Sequence, residues 1–268
     1  ITFQGKWGFV AATPFTAEHL ELDKGAVETL LAAVRKEFPG NCVIALAGRL
    51  PSLAASRGIN LSQPFVDGVL GTRCLVKLAV TRAVEQSALS PKLATVGVVG
   101  AAGFIGSRVV NDLSKFCGEV IAFDPSHLRK EVTRHAGNIL FTGLVQDLKM
   151  PDILVNLAPR GNDIRQTATY LKPEAYLLDD THTGMRGKLL AELEGRGVTV
   201  RKIVMVHRDF RMFPRLPGFR QNCIPGCLLE ALVVVSKGRD STVSIEAFMM
   251  HASHLGFAAA LVQHTSDP

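Results

Sequence analysis

Short apolar runs alternate with helix-period stretches through the middle of the chain. Residues 96–99, 120–124, 138–141, 152–157 and 175–178 are mostly apolar segments, the pattern of strands buried on both faces, and 200–206 is apolar apart from Arg201-Lys202. Between them, residues 107–115, 163–171 and 188–194 repeat their apolar positions every three to four residues and predict helices. Alternation of this kind predicts an α/β fold with a parallel sheet covered on both sides. Upstream, residues 24–38 and 71–87 predict helices, 42–47 a short strand, and Ser90-Pro91-Lys92 a turn. Downstream, residues 226–236 and 244–261 are apolar and predict helices. The expected organisation is an N-terminal substrate lobe (1–90), a nucleotide-binding domain (91–207), and a helical C-terminal segment (208–268) that packs between the lobes and closes the cleft.

The segment Val96-Gly97-Val98-Val99-Gly100-Ala101-Ala102-Gly103-Phe104-Ile105-Gly106 reads as strand, glycine turn and helix start, and the next apolar run ends on Asp124. Gly100 permits a tight turn, Gly103 a close approach to a pyrophosphate, and Gly106 close helix–strand packing. Phosphates then sit at the helix N-terminus, where free N–H groups and the dipole favour an anion. The fold class expected is a Rossmann-type doubly wound sheet, with a smaller N-terminal α/β lobe and C-terminal helices. Expected cofactor contacts are Gly100, Ala102, Gly103, Phe104, Ile105, Gly106, Asp124, Pro125, Leu157, Ala158 and Pro159. A carboxylate at Asp124 accepts both ribose hydroxyls and repels a 2′-phosphate, which favours NAD(H). Arg129 and Lys130 follow closely and keep NADP(H) open. The plain alternative is an ordinary strand–turn–helix without a ligand.

Composition narrows the rest. Hydrophobic residues make up 47% and charged residues 20% of 268, enough for a sizeable core. The net charge is +6, and Arg208, Arg211, Arg215 and Arg220 crowd one proline-containing stretch. That stretch is a solvated loop or a patch for an acidic or phosphate-bearing partner. No aromatic-interleaved basic segment points to nucleic acid. Glu230, His251 and His254 interrupt the longest apolar stretches, so no membrane span is expected. The chain opens on Ile1, as a fragment or processed form would, without a secretory signal pattern. Five cysteines without secretory context suggest reduced thiols and a cytoplasmic protein. Cys223 and Cys227 lack a second pair, and His251 and His254 lack a nearby acid, so no metal is expected.

Cys227 follows Ile224-Pro225-Gly226 and opens an apolar helix. A thiol there feels the positive end of the dipole and ionises more readily, and thiolate attacks carbonyls. A cysteine on an apolar helix is more often a small core residue. Glu230, one turn on, positions a water or substrate group or faces solvent. His182 and His207 follow predicted strands and are candidate acids or bases, although packing is the commoner role of such histidines. Lys77 with Asp67 forms a second candidate proton-handling pair.

Further along, Leu177-Leu178-Asp179 and Val206-His207 are followed by Gly226-Cys227-Leu228-Leu229-Glu230-Ala231. The series closes with Val243-Ser244-Ile245-Glu246 and His254-Leu255-Gly256-Phe257. Over residues 42–262 this order resembles the long-chain acyl-(acyl carrier protein) reductases, which form fatty aldehydes. The resemblance implies Cys227 as acyl acceptor with Glu230 beside it, and an acyl thioester substrate, including one borne on an acidic acyl carrier protein. Asn156-Leu157-Ala158-Pro159 and Leu177-Leu178-Asp179 also resemble shikimate dehydrogenase-like proteins. The chain departs from the reductases at three places. Phe123-Asp124-Pro125 stands where they carry an arginine suited to NADP, Asp180-Thr181-His182-Thr183 replaces a Gly-Gly-Tyr-Pro-like turn, and Arg208 replaces a cysteine.

Three functions follow as expectations. The first is NAD(P)H-dependent reduction of an acyl thioester to an aldehyde through a Cys227-bound intermediate, with His207 or His182 managing protons. The second is a dehydrogenase or imine reductase of a small hydroxy or amino acid without covalent catalysis. The third is an inactive dinucleotide-binding protein. An oligomer is compatible with each.

Overall fold

The computed structural model describes residues 1–38, 40, 42–129, 134–149, 151–182 and 184–264. Lys130 and Thr183 therefore lie outside the described residues. The chain divides into two compact units: Ile1–Cys74 with Met205–Leu216 and Arg220–Ala258, and Leu75–Val204 with Pro217–Phe219 and Ala259–Pro268.

The second unit is built on a parallel sheet, and its strands are the apolar runs of the sequence. Their spatial order is Thr199–Val206, Tyr176–Asp179, Ile153–Asn156, Thr95–Val99, Glu119–Phe123 and Ile139–Thr142. Arg134–Ala136 adds an antiparallel edge to the last of these. Numbered along the chain, the six parallel strands described in this sheet lie in the order 6-5-4-1-2-3. That is two halves wound outward from strands 1 and 4, the topological switch where ligands bind. The fold is a doubly wound α/β fold of Rossmann type.

Register explains how one face changes character along the strands. Ile121, Gly97, Leu154, Leu177 and Val200 are paired in one row. The four large side chains join a core with Ile164, Leu171, Leu189 and Leu193. Gly97 makes room for it, since a Cβ there would stand 2.6 Å from Leu154 Cδ1. Two residues on, the same face carries Phe123, Val99, Asn156, Asp179 and Lys202. At the carboxyl ends of strands 4 and 5, and midway along the longer strand 6, the row thus turns from apolar to polar, although all three polar residues are buried.

In the first unit, Thr2–Phe3 pairs with Lys6–Trp7 and Phe210–Arg211, and Ile44–Ala45 pairs with Phe65–Val66 in parallel. The helix Ala26–Glu37 buries Val27, Leu30 and Leu31 against Leu20, Leu46, Ala54 and Phe65. A second cluster joins Val66 to Ala231 and Val234 of the helix Gly226–Lys237.

Two helical expectations are corrected. Residues 163–171 form only a 3-10 turn, Gly161–Ile164, and one helical turn, Arg165–Ala168. Thr167 and Thr169 hydroxyls donate back to the carbonyls of Ile164 and Gln166, competing with propagation of the helix. Residues 244–261 begin as a helix, Ile245–His254, but end as a strand, Ala258–Val262, that pairs with Thr199–Val206. Gly256 sits at φ +90°, where the helix cannot continue. Residues 208–268 are therefore not wholly helical, since Phe210–Arg211 and Cys223–Ile224 are strands as well.

Candidate functional site

The glycine turn leaves the end of the central strand of the second unit. Gly100 takes φ +81°, and a Cβ there would stand 2.9 Å from the Leu157 carbonyl oxygen. A Cβ on Gly106 would stand 2.1 Å from the Gly100 carbonyl oxygen, so the helix Gly106–Ser114 starts hard against the turn. Gly103 is exposed, and a Cβ there would meet only the Gly100 oxygen, at 3.1 Å. The turn thus offers a bare backbone face at a helix N-terminus, the shape that receives a phosphate. The Arg108 guanidinium lies over the Phe104 ring, 4.3 Å from its centroid, and donates to the Phe104 carbonyl. Ile105 is half-buried beside it.

Asp124 stands just beyond the tip of the neighbouring strand. Its Oδ2 accepts the Ala102 N–H at 3.2 Å and its Oδ1 the Ser126 N–H at 2.9 Å. The carboxylate is therefore tied to the turn, and Pro125 beside it is exposed. On the other side of the turn, Ala158 donates its N–H to Asn156 Oδ1, holding the loop Leu157, Ala158 and Pro159. Every expected cofactor residue thus belongs to one unit, around the switch between strands 1 and 4.

Asn156 links this loop to a buried polar cluster. Its Nδ2 donates to Asp179 Oδ1 at 3.0 Å. Asp179 also accepts the Thr181 N–H and hydroxyl on Oδ1 and the Met185 N–H on Oδ2. Lys202 Nζ donates to the Thr181 carbonyl at 3.1 Å and lies 4.5 Å from the Phe219 ring centroid. His182 packs on the same ring. Burial, then the nearby Lys202 charge, push its pKa below the usual histidine value, against the pull of Asp179. Burial pushes Asp180 up to about 7, with Lys202 opposing and Asp179 adding to the rise. His264 Nε2 stands 3.7 Å from Asp179 Oδ2. Sequence reasoning misses Lys202, Gly184 and His264, because nothing local marks them.

The other candidates lie in the first unit, apart from Lys77 in the second. His207 is 5% exposed and wedged between Phe3 and Phe257. Its Nδ1 accepts the Asp209 N–H at 3.0 Å, so its Nε2–H donates to the Leu255 carbonyl at 2.8 Å. Both ring nitrogens are thus engaged by the backbone in this structure. Glu230 does not face solvent: it is 6% exposed, and its carboxylate accepts the Leu70 N–H. Burial and then Asp67 raise its pKa to about 7, against backbone hydrogen bonds from Leu70 and Gly71 and the charge of Arg239. Asp67 caps the same helix start, accepting the Val69 N–H at 3.0 Å. Cys227 is half-buried on the first turn of Gly226–Lys237. A Cβ on Gly68, at φ +72°, would stand 2.6 Å from Cys227 Cα.

Among the described residues, no group of three or more His, Cys, Asp or Glu side chains is placed to hold a metal ion. No described helix is long and apolar enough to cross a membrane.

No protein-family model matches the chain, and no curated protein matches it. Among solved structures it is similar to a dipicolinate synthase chain from Bacillus halodurans, with 15% identity and a TM-score of 0.44 over 76% of this chain and 68% of that one. It is also similar to an NAD-dependent formate dehydrogenase from Staphylococcus aureus in complex with NAD, with 14% identity and a TM-score of 0.40 over 59% and 56%. For shikimate 5-dehydrogenase from Listeria monocytogenes, in complex with shikimate and NAD, the values are 13%, 0.37, 67% and 72%. The chain spans 56%, 40% and 57% of three such structures, about half of their length. Likeness at this level adds nothing to the strand order and register described above.

Proposed function

We propose that this protein is a nicotinamide-dinucleotide-dependent oxidoreductase that moves hydride between the cofactor and a small hydroxy or amino acid, without a covalent enzyme intermediate. The observation that carries the reading is the Gly100–Gly103–Gly106 turn at the switch point, with Asp124 tied to it through Ala102. The turn fits a pyrophosphate, and the Asp124 carboxylate fits a free 2′-hydroxyl, so NAD(H) is favoured over NADP(H). When bound, the cofactor supplies a hydride donor or acceptor. Backbone N–H groups of Phe104, Ile105 and Gly106 orient its phosphates, and the loop 157–159 lines the switch. Around strands 4 and 5, Asn156, Asp179 and Thr181 form a buried, mutually hydrogen-bonded polar cluster, an environment unlike the apolar lining a long acyl chain needs.

Thioester reduction through Cys227 is the second reading, favoured by the place of that thiol on the first turn of its helix. Against it, the carboxylate of the Cys-x-x-Glu pattern is engaged in capping another helix. The experiment that separates the two is incubation with an acyl-CoA, read by intact mass, beside dinucleotide-linked oxidation of a panel of hydroxy and amino acids. Turnover in the panel without acylation supports the first reading. Stoichiometric acylation lost in Cys227→Ala supports the second.

A further inference from the structure

The oxidoreductase reading leaves open which group handles the proton, and His264 meets the geometric requirements. Its side chain is 5% exposed, and its Nε2 has no hydrogen-bond partner. That nitrogen faces Asp179 Oδ2 at 3.7 Å, and Asp179 is itself fixed by donors from Asn156, Thr181 and Met185. The two are within ion-pair distance although no hydrogen bond joins them, so the carboxylate acts on the ring through its charge. The second ring nitrogen, Nδ1, faces Gly184. A Cβ there would stand 3.2 Å from Nδ1, and the Gly184 backbone is outside the left-handed region that demands glycine. The missing side chain keeps space beside Nδ1, and Gly184 is only half-buried.

Register places the pair relative to the cradle. Asp179 is two strands from Val99, the residue before Gly100, roughly 10 Å at ordinary strand spacing. In a doubly wound sheet the two halves each receive one mononucleotide, so strands 4 to 6 serve the half opposite the adenosine carboxylate Asp124.

We propose that His264, with the Asp179 carboxylate in ion-pair reach, is the acid–base residue on the nicotinamide side of the site; this rests on the oxidoreductase reading. In the oxidising direction His264 Nδ1 takes the hydroxyl proton, the carbon–hydrogen bond breaks with its electron pair passing to the oxidised nicotinamide, and the C=O bond forms. The imidazolium so produced is held by Asp179 and returns its proton to solvent, and reduction runs the same steps backwards. Burial keeps the pKa of His264 below the usual histidine value, the form a base needs; Asp179 raises it, and Lys202 and Arg201 lower it. Asp180 and His182 are the remaining titratable groups of this cluster.

The test follows the His264 imidazole resonance by NMR, assigned with His264→Gln, through a pH titration with NADH, with ADP, or with neither. Binding is checked separately by NADH fluorescence. The expected result is a shift of the His264 resonance and its midpoint with NADH, no such shift with ADP, and a severalfold smaller effect in Gly184→Ala. Asp179→Asn lowers the midpoint. With any substrate that is turned over, His264→Gln lowers kcat by about 10²- to 10⁴-fold and removes the acid limb of the pH profile, while the Kd for NADH stays within about twofold. NADH bound with His264 unmoved, or moved equally by ADP, overturns the assignment while leaving the oxidoreductase reading intact. Failure of NADH to bind overturns both.

Discussion

The Glu230 carboxylate accepts the backbone N–H of Leu70 at 2.9 Å, so a side chain from the helix Gly226–Lys237 caps the start of Val69–Gln86. Two glycines permit the approach: a Cβ on Gly71 would stand 2.2 Å from the Gly226 carbonyl oxygen, and one on Gly226 would stand 2.7 Å from Thr72 Cα. The pattern Cys227-Leu228-Leu229-Glu230, which resembles a catalytic signature, therefore has a structural use in this chain.

Stability should depend on pH through that carboxyl. Its folded pKa, about 7, lies above the ordinary value of 4.5, so the folded state binds the proton more tightly. The resulting stabilisation is complete below about pH 4.5 and is lost as pH rises through 7; the window corresponds to roughly 3 kcal/mol at most. Glu230→Gln should flatten this slope in thermal melts recorded across the window. Glu230→Ala should destabilise at every pH by roughly 1–3 kcal/mol, because the Leu70 N–H loses its acceptor.

How much of this was legible in the sequence depends on how local each feature is. The parallel strands were readable because strands buried on both faces are near-continuous apolar runs, as Ile153–Asn156 and Thr95–Val99 show. Ala258–Val262 was not, because its alanines suit a helix equally well and only the left-handed Gly256 and the pairing with Thr199–Val206 decide the outcome. The glycine turn was readable because its parts are consecutive. The contacts of Glu230 with Leu70, and of His264 with Asp179, join residues far apart in the chain, and no short pattern announces them.

Cofactor choice should follow Asp124. The wild type should bind NADH more tightly than NADPH by at least about tenfold, ~1.4 kcal/mol, because a 2′-phosphate would meet the carboxylate. Asp124→Ala should narrow or reverse that ratio, measured by parallel fluorescence titrations. Removing the carboxylate also frees the Ala102 N–H, so a modest loss of NADH affinity should accompany it.

Cys227→Ala should leave dinucleotide binding and turnover of hydroxy or amino acids nearly unchanged. The substitution keeps the helix start and removes only the thiol, and Gly68 tolerates the smaller side chain opposite it. Steady-state kinetics of the variant decide between the two readings: a loss of about 10³-fold or more would favour covalent catalysis.

Gly106→Ala should fail structurally rather than functionally. Its Cβ would stand 2.1 Å from the Gly100 carbonyl oxygen, a clash with backbone that no rotamer relieves. Thermal melts should show a loss of several kcal/mol or no folded protein, in contrast with the exposed Gly103.

Gly103 therefore provides the most direct test of the central claim. A Cβ there has one close neighbour, the Gly100 carbonyl oxygen at 3.1 Å, which must give by a few tenths of an ångström, and a valine covers the backbone face on which a pyrophosphate would rest. The measurement is NADH binding to wild type and Gly103→Val, by fluorescence titration, with circular dichroism and melting curves confirming that both are folded. The account predicts saturable binding by the wild type and at least about a hundredfold weaker binding by the variant, ~2.8 kcal/mol, at an unchanged fold. Equal affinity in a well-folded Gly103→Val, or no NADH binding by the wild type, would contradict it.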